Sequence, residues 1–380
     1  MADLADNPHR LLHQLRAREP VAWLPALQAW LVTRYDLAIS VMRDAKRFTV
    51  DHPGFSTARV VGASMLSLDG DAHLRHRMPF EAPFRRKAVL SRFRQPVRRM
   101  IHARLDRLAP HGRADLQREF AAPVAAQTML FALGLPPAIL HDLLDWYDDI
   151  VDAVSLITAG EPLSREGEAA FAALRARLLP VLQQEPETSL LATAAGAARG
   201  LSADEIIANA AVLLFGGIET TEGMIANAVY HLLQEPEMMT AVSNNPDLLP
   251  DVIEESLRLE PAAAVVDRYA VTDTELGGAA IRAGELVRVS LSAANRDPAV
   301  FPDPDRFDPR RENRRAHVAF AQGPHVCLGL HLARLEAVEA VAQLLRRLPN
   351  LRLAEEGAAQ AQPRGLVFRK PAELMVEWDR

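Results

Sequence analysis

The stretch Phe320-Ala321-Gln322-Gly323-Pro324-His325-Val326-Cys327-Leu328-Gly329 holds the single cysteine of this 380-residue chain. A lone thiol has no internal disulfide partner, so Cys327 serves packing, nucleophilic chemistry or metal ligation. Gly323 and Gly329 bracket the sulfur with residues that let backbone approach a large flat group closely. Downstream, Leu330-His331-Leu332-Ala333-Arg334-Leu335-Glu336-Ala337-Val338 opens a long helical pattern, which puts Cys327 near a helix N-terminus. The N–H groups and positive dipole end there stabilise a thiolate. The bland alternative is a buried structural cysteine, since an unoxidised Cys is among the most buried residue types.

Composition bounds the rest. The chain is 49% hydrophobic and 24% charged with a formal net charge of -6, enough to bury a large core. The modest acidity argues against nucleic acid as a partner. Residues 1–20 are polar and charged and contain no apolar core of a secretory signal. The longest nearly continuous apolar run, 206–218, is interrupted by Asn209 and is too short to span a bilayer. The expectation is a soluble, cytoplasmic protein without a membrane anchor.

Along the chain there is no internal repeat and no linker. Residues 8–19 predict a short amphipathic helix, and 23–33 a strand pair with Pro25 near its turn. Residues 50–68, rich in Gly, Ser, Pro and His, predict a long loop. From Asp71 to about Leu348 helical patterns dominate, broken at Gly134-Leu135-Pro136-Pro137 and around Gly160-Glu161-Pro162. A strand-like stretch, 265–289, carries the turn Gly277-Gly278, and 350–380 reads as short strands and turns. The pattern is mainly α, an α+β chain with small segregated sheets.

A second signal follows Ser202-Ala203-Asp204-Glu205, a capping box that opens a helix. Within that helix lies Gly216-Gly217-Ile218-Glu219-Thr220-Thr221. Two adjacent helical glycines cost roughly 1 kcal/mol each against Ala, which suggests that something must approach the backbone. Gly216 and Thr220 share a face that Leu213 and Asn209 extend. The alternative is helix packing at the glycines, with Thr220 bonding a carbonyl one turn back. Glu255 and Arg258, and likewise His73 and Arg77, have helical spacings that on their own are ordinary surface pairs.

Taken together these residues resemble the cytochrome P-450 haem-thiolate monooxygenases, over nearly the whole chain. The cysteine segment is similar to the family's signature: a Phe seven residues before the Cys, a Gly four before and a Gly two after. One departure is Ala321, where the family usually has Gly, so the turn there is expected to be slightly reshaped.

The resemblance implies a single helix-rich, triangular domain over 1–380 that carries haem b, iron protoporphyrin IX, with Cys327 as axial ligand. It implies that Gly216 and Gly217 line the haem, and that Thr220 hydrogen-bonds the oxygen being activated while Glu219 helps deliver protons. Phe320 of the cysteine loop would contact the haem, and His73, Arg77, Arg268 and His325 would hold the propionates. His76, Arg75, Arg85 and Arg86 read as solvated charge. Glu255 and Arg258 would lock onto Arg306 of Pro304-Asp305-Arg306-Phe307, a structural role.

Partners follow from the same resemblance. A ferredoxin or flavodoxin with its reductase would supply electrons to a monomer, docking near Arg85-Arg86-Lys87 and Arg310, Arg311, Arg314 and Arg315; ordinary solvated charge is the competing explanation. The substrate pocket would draw on 50–68, 151–159, Ala262 to Val266 and Leu366-Val367, with contacts from Met65, Leu66, Asn209, Leu213, Val265, Val266, Leu366 and Val367. These are mostly aliphatic, so a largely apolar small molecule of secondary metabolism fits. Other readings are a peroxide-driven enzyme, oxidative coupling or desaturation, a haem sensor, or a cysteine nucleophile with His325 or His331 as base.

Overall fold

The hairpin expected around Pro25 forms, with Gln28 in the left-handed turn position at φ 47°. In the computed structural model, which describes residues 2–158, 161–185, 187–198 and 200–380, the strands are β1 (Val21–Leu24), β2 (Ala29–Val32), β3 (Phe48–Thr49), β4 (Arg113–Asp115), β5 (Val265–Ala270), β6 (Thr274–Leu276), β7 (Ala279–Ile281), β8 (Leu286–Ser290), β9 (Arg352–Leu353) and β10 (Met375–Glu377). Helices make up most of the remainder, so the chain is mainly α with small separate sheets, as the patterning predicts. Ala159 and Gly160, which fall in an expected pocket stretch and an expected helix break, lie outside the described residues.

Two compact units share the chain. The first comprises Met1–Thr49, Val97–Val124 and Glu219–Arg380. Its largest sheet runs β1-β2-β8-β5-β3, with β2 and β8 parallel and the other pairs antiparallel. Val287 and Val289 of β8 point into a core with Val32, Phe48, Ile281 and Val318, all buried. Each such side chain contributes about 1.5–3 kcal/mol by leaving water. Met42, at the end of helix Tyr35–Arg43, belongs to the same core. A second sheet orders β4-β10-β9, and β6 pairs with β7 across Gly277 and Gly278, both at positive φ.

The second unit comprises Val50–Pro96 and Ala125–Ile218, and its described residues are helix and loop after Val50. Helices Leu140–Thr158 and Arg165–Leu178 approach so closely that a Cβ on Gly167 would lie 2.3 Å from the Ala153 Cβ. Residues 50–68 are not all loop: Ser56–Val61 forms a helix, ended by Gly62 at φ 90°. Six residues are fewer than two helical turns, so its periodicity is hidden among turn-forming neighbours.

Helix Ala203–Gln234 carries residues of both units. Its capping box forms as read. The Ser202 N–H donates to Glu205 Oε2 at 2.8 Å, and the Glu205 N–H donates to Ser202 Oγ at 3.2 Å.

Candidate functional site

The cysteine loop of the first unit folds back on itself. The Cys327 N–H donates to the Phe320 carbonyl at 2.8 Å, and the Val326 N–H to the Gly323 carbonyl at 3.1 Å. Gly323 has φ 75°, and an added Cβ would lie 2.5 Å from the Met42 carbonyl oxygen. Helix Tyr35–Arg43 thus packs directly on the loop backbone, and only glycine tolerates it. Ala321 adopts φ 57°. That left-handed conformation costs a residue with a Cβ roughly 1–3 kcal/mol, so the Ala departure shows as local strain.

Cys327 is half-buried, and Gly329 caps helix Leu330–Arg347, which places the thiol at a helix N-terminus as read. Among the described residues no cluster of His, Cys, Asp and Glu is placed to hold a bare metal ion.

Beneath the loop are two ionic locks. In the first, Arg258 is fully buried and donates twice to Glu255, both at 2.8 Å. Its remaining donors reach the carbonyls of Asn295, Pro304 and Arg306. The expected third arginine is corrected here. The Arg306 side chain is exposed and the residue lends only its carbonyl, whereas Arg311 reaches Glu255 at 3.2 Å. Arg311 also donates to the Pro302, Asp303 and Arg306 carbonyls.

The second lock was not legible in advance. Arg334 grips Glu254 with contacts of 2.5 and 2.8 Å, and His317 Nε2 lies 3.2 Å from the same carboxylate. Arg334 stacks 4.5 Å from the centroid of Phe320, whose other neighbour is the His317 ring at 5.9 Å. Burial pushes the Glu254 carboxyl up, but the hydrogen bonds from His317 and Arg334 outweigh it and bring it to about 2. Its sequence signal was the doublet Glu254-Glu255, of which only one acid was used.

Of the remaining first-unit candidates, Arg268 is buried on β5, with one donor on the Asp267 carbonyl at 2.7 Å. Its neighbour Asp267 is clamped by Arg288 through two contacts of 2.7 Å. His325 is half-buried in the turn Gly323–His325. Val265 lines a cleft with Leu366, Leu12 and Leu31, and Leu366 also packs on the cluster of Leu4, Leu12 and Leu31. Val266 packs against the main sheet core, and Val367 is 39% exposed. Glu219 lies 2.7 Å from Lys370 Nζ, a partner the sequence reading missed.

In the basic cluster Arg310, Arg311, Arg314 and Arg315, three members carry ion pairs within the chain. Arg311 serves Glu255, and Arg314 and Arg315 meet Asp251 at 2.8 and 3.7 Å. Arg310 and Arg315 are exposed.

In the second unit His73 is buried, and Arg77 is mostly buried with Glu81 at 3.3 Å. His76 is buried rather than solvated. It sits between Asn209 at 3.0 Å and Glu205 at 3.3 Å, and burial holds its pKa below the usual histidine value. Arg75 is committed to Glu205 and the Gly200 carbonyl.

Asn209 is fully buried and saturated. It accepts from the Met65 N–H at 2.7 Å and donates to the Glu205 carbonyl and to His76. It pins the 64–67 turn, where Met65 is buried and Leu66 is 37% exposed. Leu213 is half-buried.

The glycine pair divides. A Cβ on Gly217 would lie 2.3 Å from Met129 Sδ, so that glycine serves helix packing against Ala122–Leu133 rather than a cofactor. A Cβ on Gly216 would meet nothing within 4 Å, which leaves open space against the helix there. In the first unit, the half-buried thiol and the half-buried apolar side chains Phe320, Val326 and Leu328 fit a flat, greasy, thiolate-ligated group such as haem.

A helix-rich chain whose lone thiol is presented from an ion-locked loop at a helix N-terminus has the makings of a haem-thiolate protein. The family model for cytochrome P450 matches residues 179–376. The chain is 35% identical over 379 residues to a mycinamicin IV hydroxylase/epoxidase of Micromonospora griseorubida, covering 96% of this chain and 94% of that protein. It is 34% identical over 389 residues to a nocardicin C N-oxygenase of Nocardia uniformis, covering 96% and 94%. Among solved structures, CYP109E1 of Bacillus megaterium in complex with testosterone matches with a TM-score of 0.89 at 25% identity, over 100% of each chain. The chain belongs to the cytochrome P450 family. Among the described residues no helix is long and apolar enough to cross a membrane.

Proposed function

We propose that this chain, working as one catalytic domain over 1–380, is a monooxygenase that inserts one oxygen atom from O2 into a largely apolar small molecule. The observation that carries the reading is the Cys327 loop: a half-buried thiol at a helix N-terminus, on backbone fixed by Gly323 and two ionic locks. The names of its relatives support a small organic substrate of secondary metabolism, since they include a hydroxylase/epoxidase of mycinamicin IV and an oxygenase of nocardicin C.

Bound haem b would supply oxygen activation and one-electron chemistry at iron. Cys327 would hold it through the thiolate, whose electron density favours O–O cleavage. Arg268 and His325, with His73 and Arg77, would bind the propionates through charge-assisted hydrogen bonds. Phe320 would pack beside the sulfur and limit water there. Thr220 would position a proton through its hydroxyl, and Glu219 would supply it from the adjacent position. Substrate would be oriented by half-buried and exposed apolar side chains such as Leu213, Val265, Leu66 and Val367. Electrons would come from a separate ferredoxin or flavodoxin with its reductase.

The test is Thr220→Ala beside Cys327→Ser. Thr220→Ala is expected to keep haem and substrate binding while diverting reducing equivalents to hydrogen peroxide, and Cys327→Ser to abolish turnover. Unchanged coupling in the first would remove Thr220 from proton delivery, and an active second variant would overturn Cys327 as the residue that holds the haem.

A further inference from the structure

Lys370 closes a tight turn whose ends meet at the antiparallel bridge between Arg364 and Lys370. The turn carries Leu366 and Val367 and is held in place from outside. The Ala264 N–H donates to the Val367 carbonyl at 2.8 Å, and Phe368 bridges to Ala263. Gly365 within it has φ 118°, and an added Cβ would lie 1.8 Å from the Phe368 carbonyl oxygen. The turn therefore has essentially one backbone conformation, which fixes where Lys370 begins.

From that base Lys370 Nζ reaches Glu219 at 2.7 Å and makes a closer contact with Glu222. The two acids are three residues apart on helix Ala203–Gln234, so they share a face. Gly223 permits the approach: a Cβ there would lie 2.9 Å from the Ala262 Cβ and 3.4 Å from the Lys370 Cβ. Gln117, the first residue of the π-helical stretch Gln117–Ala121, donates to Glu222 at 3.2 Å. Arg369, the neighbour of Lys370, is committed elsewhere, to Glu260 at 2.9 Å. The Lys370 side chain is 22% exposed, against 14% for Glu219 and 5% for Glu222. One ammonium at the edge of solvent thus serves a buried carboxylate, Glu222, and a half-buried one, Glu219. Burial alone would favour the neutral amine, but Glu222 and Glu219 outweigh it and raise the Lys370 pKa.

We propose that Lys370 is a positioning residue for Glu219, fixing its carboxylate in an ion pair shared with Glu222 and anchoring that acid to the turn that bears Leu366 and Val367. The inference rests on the monooxygenase reading, in which Glu219 feeds protons to Thr220. It adds that the proton-supplying acid is tethered to the turn that the monooxygenase reading assigns to the substrate pocket. A substrate seated on Val367 would then bear on Glu219 through a single rigid turn. Lys370 itself touches no reacting atom.

The experiment compares Lys370→Met and Lys370→Arg in the haem-loaded protein. Both are expected to keep the thiolate-type carbon monoxide band and the substrate-induced spectral shift. Product formed per reducing equivalent should fall roughly ten-fold in the Met variant, a modest cost for misplacing a proton-transfer group, and recover in the Arg variant.

A second readout needs no turnover. Without the ammonium, two neighbouring carboxylates with little access to solvent repel, and one takes up a proton more readily. The melting-temperature gap between Lys370→Met and wild type should therefore narrow as pH is lowered from about 8 to about 5. With Glu222→Gln added to Lys370→Met, that pH dependence should weaken. Unchanged coupling in the Met variant, failure of Arg to restore it, or a pH-independent gap would overturn the inference. A wild-type protein without the thiolate band would bring down the monooxygenase reading with it; an intact band with unchanged coupling removes Lys370 alone.

Discussion

Ala321 and Gly323 stand two residues apart at φ 57° and 75°, and they answer differently to the same constraint. Gly323 has the Met42 carbonyl against it and admits no side chain. Ala321 carries its methyl in a conformation that glycine adopts at no steric cost, and that methyl packs on the sheet core. Ala321→Gly is therefore expected to stabilise the protein by about 1 kcal/mol, the relief of the left-handed strain less the entropy glycine returns to the unfolded chain. Urea unfolding measures it, and a loss of stability would mean that the methyl's packing outweighs the strain. Gly323→Ala is expected to weaken haem retention, because either the loop or the end of helix Tyr35–Arg43 must move.

At the scale of elements, the cysteine loop is held by side chains on helix Leu249–Leu259 that face in two directions. Glu255 with Arg258 and Arg311 secures the segment before the loop, and Glu254 with Arg334 and His317 secures the loop's aromatic base. Arg311→Met leaves Glu255 paired with Arg258 but removes the hydrogen bonds Arg311 gives to that carboxylate and to three carbonyls, so it should cost about 2–3 kcal/mol. Arg306→Met should stay within about 0.5 kcal/mol, since only its carbonyl is used. Equal costs in denaturant titrations would contradict the reassignment.

The Glu254 lock also has a pH signature. Its folded-state pKa of about 2 lies below the usual 4.5. Its contribution is therefore full above about pH 4.5 and is lost as pH falls towards 2. The stability gap between wild type and Glu254→Gln should be steady near pH 6 and close over that acid window; a gap that widens on acidification would refute it.

At the scale of the molecule, the fold class and the cysteine loop were legible because each rests on short-range chemistry: helical periodicity, a capping box, and glycines at fixed offsets from a lone thiol. What escaped was set by distant contacts. Nothing local distinguishes Arg311 from Arg306; the choice is made by where the backbone of 302–311 turns. Gly216 and Gly217 are identical letters, yet Met129 fills the space beside one and not the other. Asn209 sits on the expected helical face, but His76 and the Met65 N–H consume its polar atoms. Lys370 lies 151 positions from Glu219, and only the turn at Gly365 brings its amine there.

The central claim is that Cys327 presents a thiolate to haem iron. The most direct measurement is the absorption spectrum of the purified, haem-loaded protein, reduced and exposed to carbon monoxide. A strongly red-shifted Soret band that Cys327→Ser removes is the predicted result. A band at the position typical of histidine-ligated haem in the wild type, or one unchanged in Cys327→Ser, would contradict it.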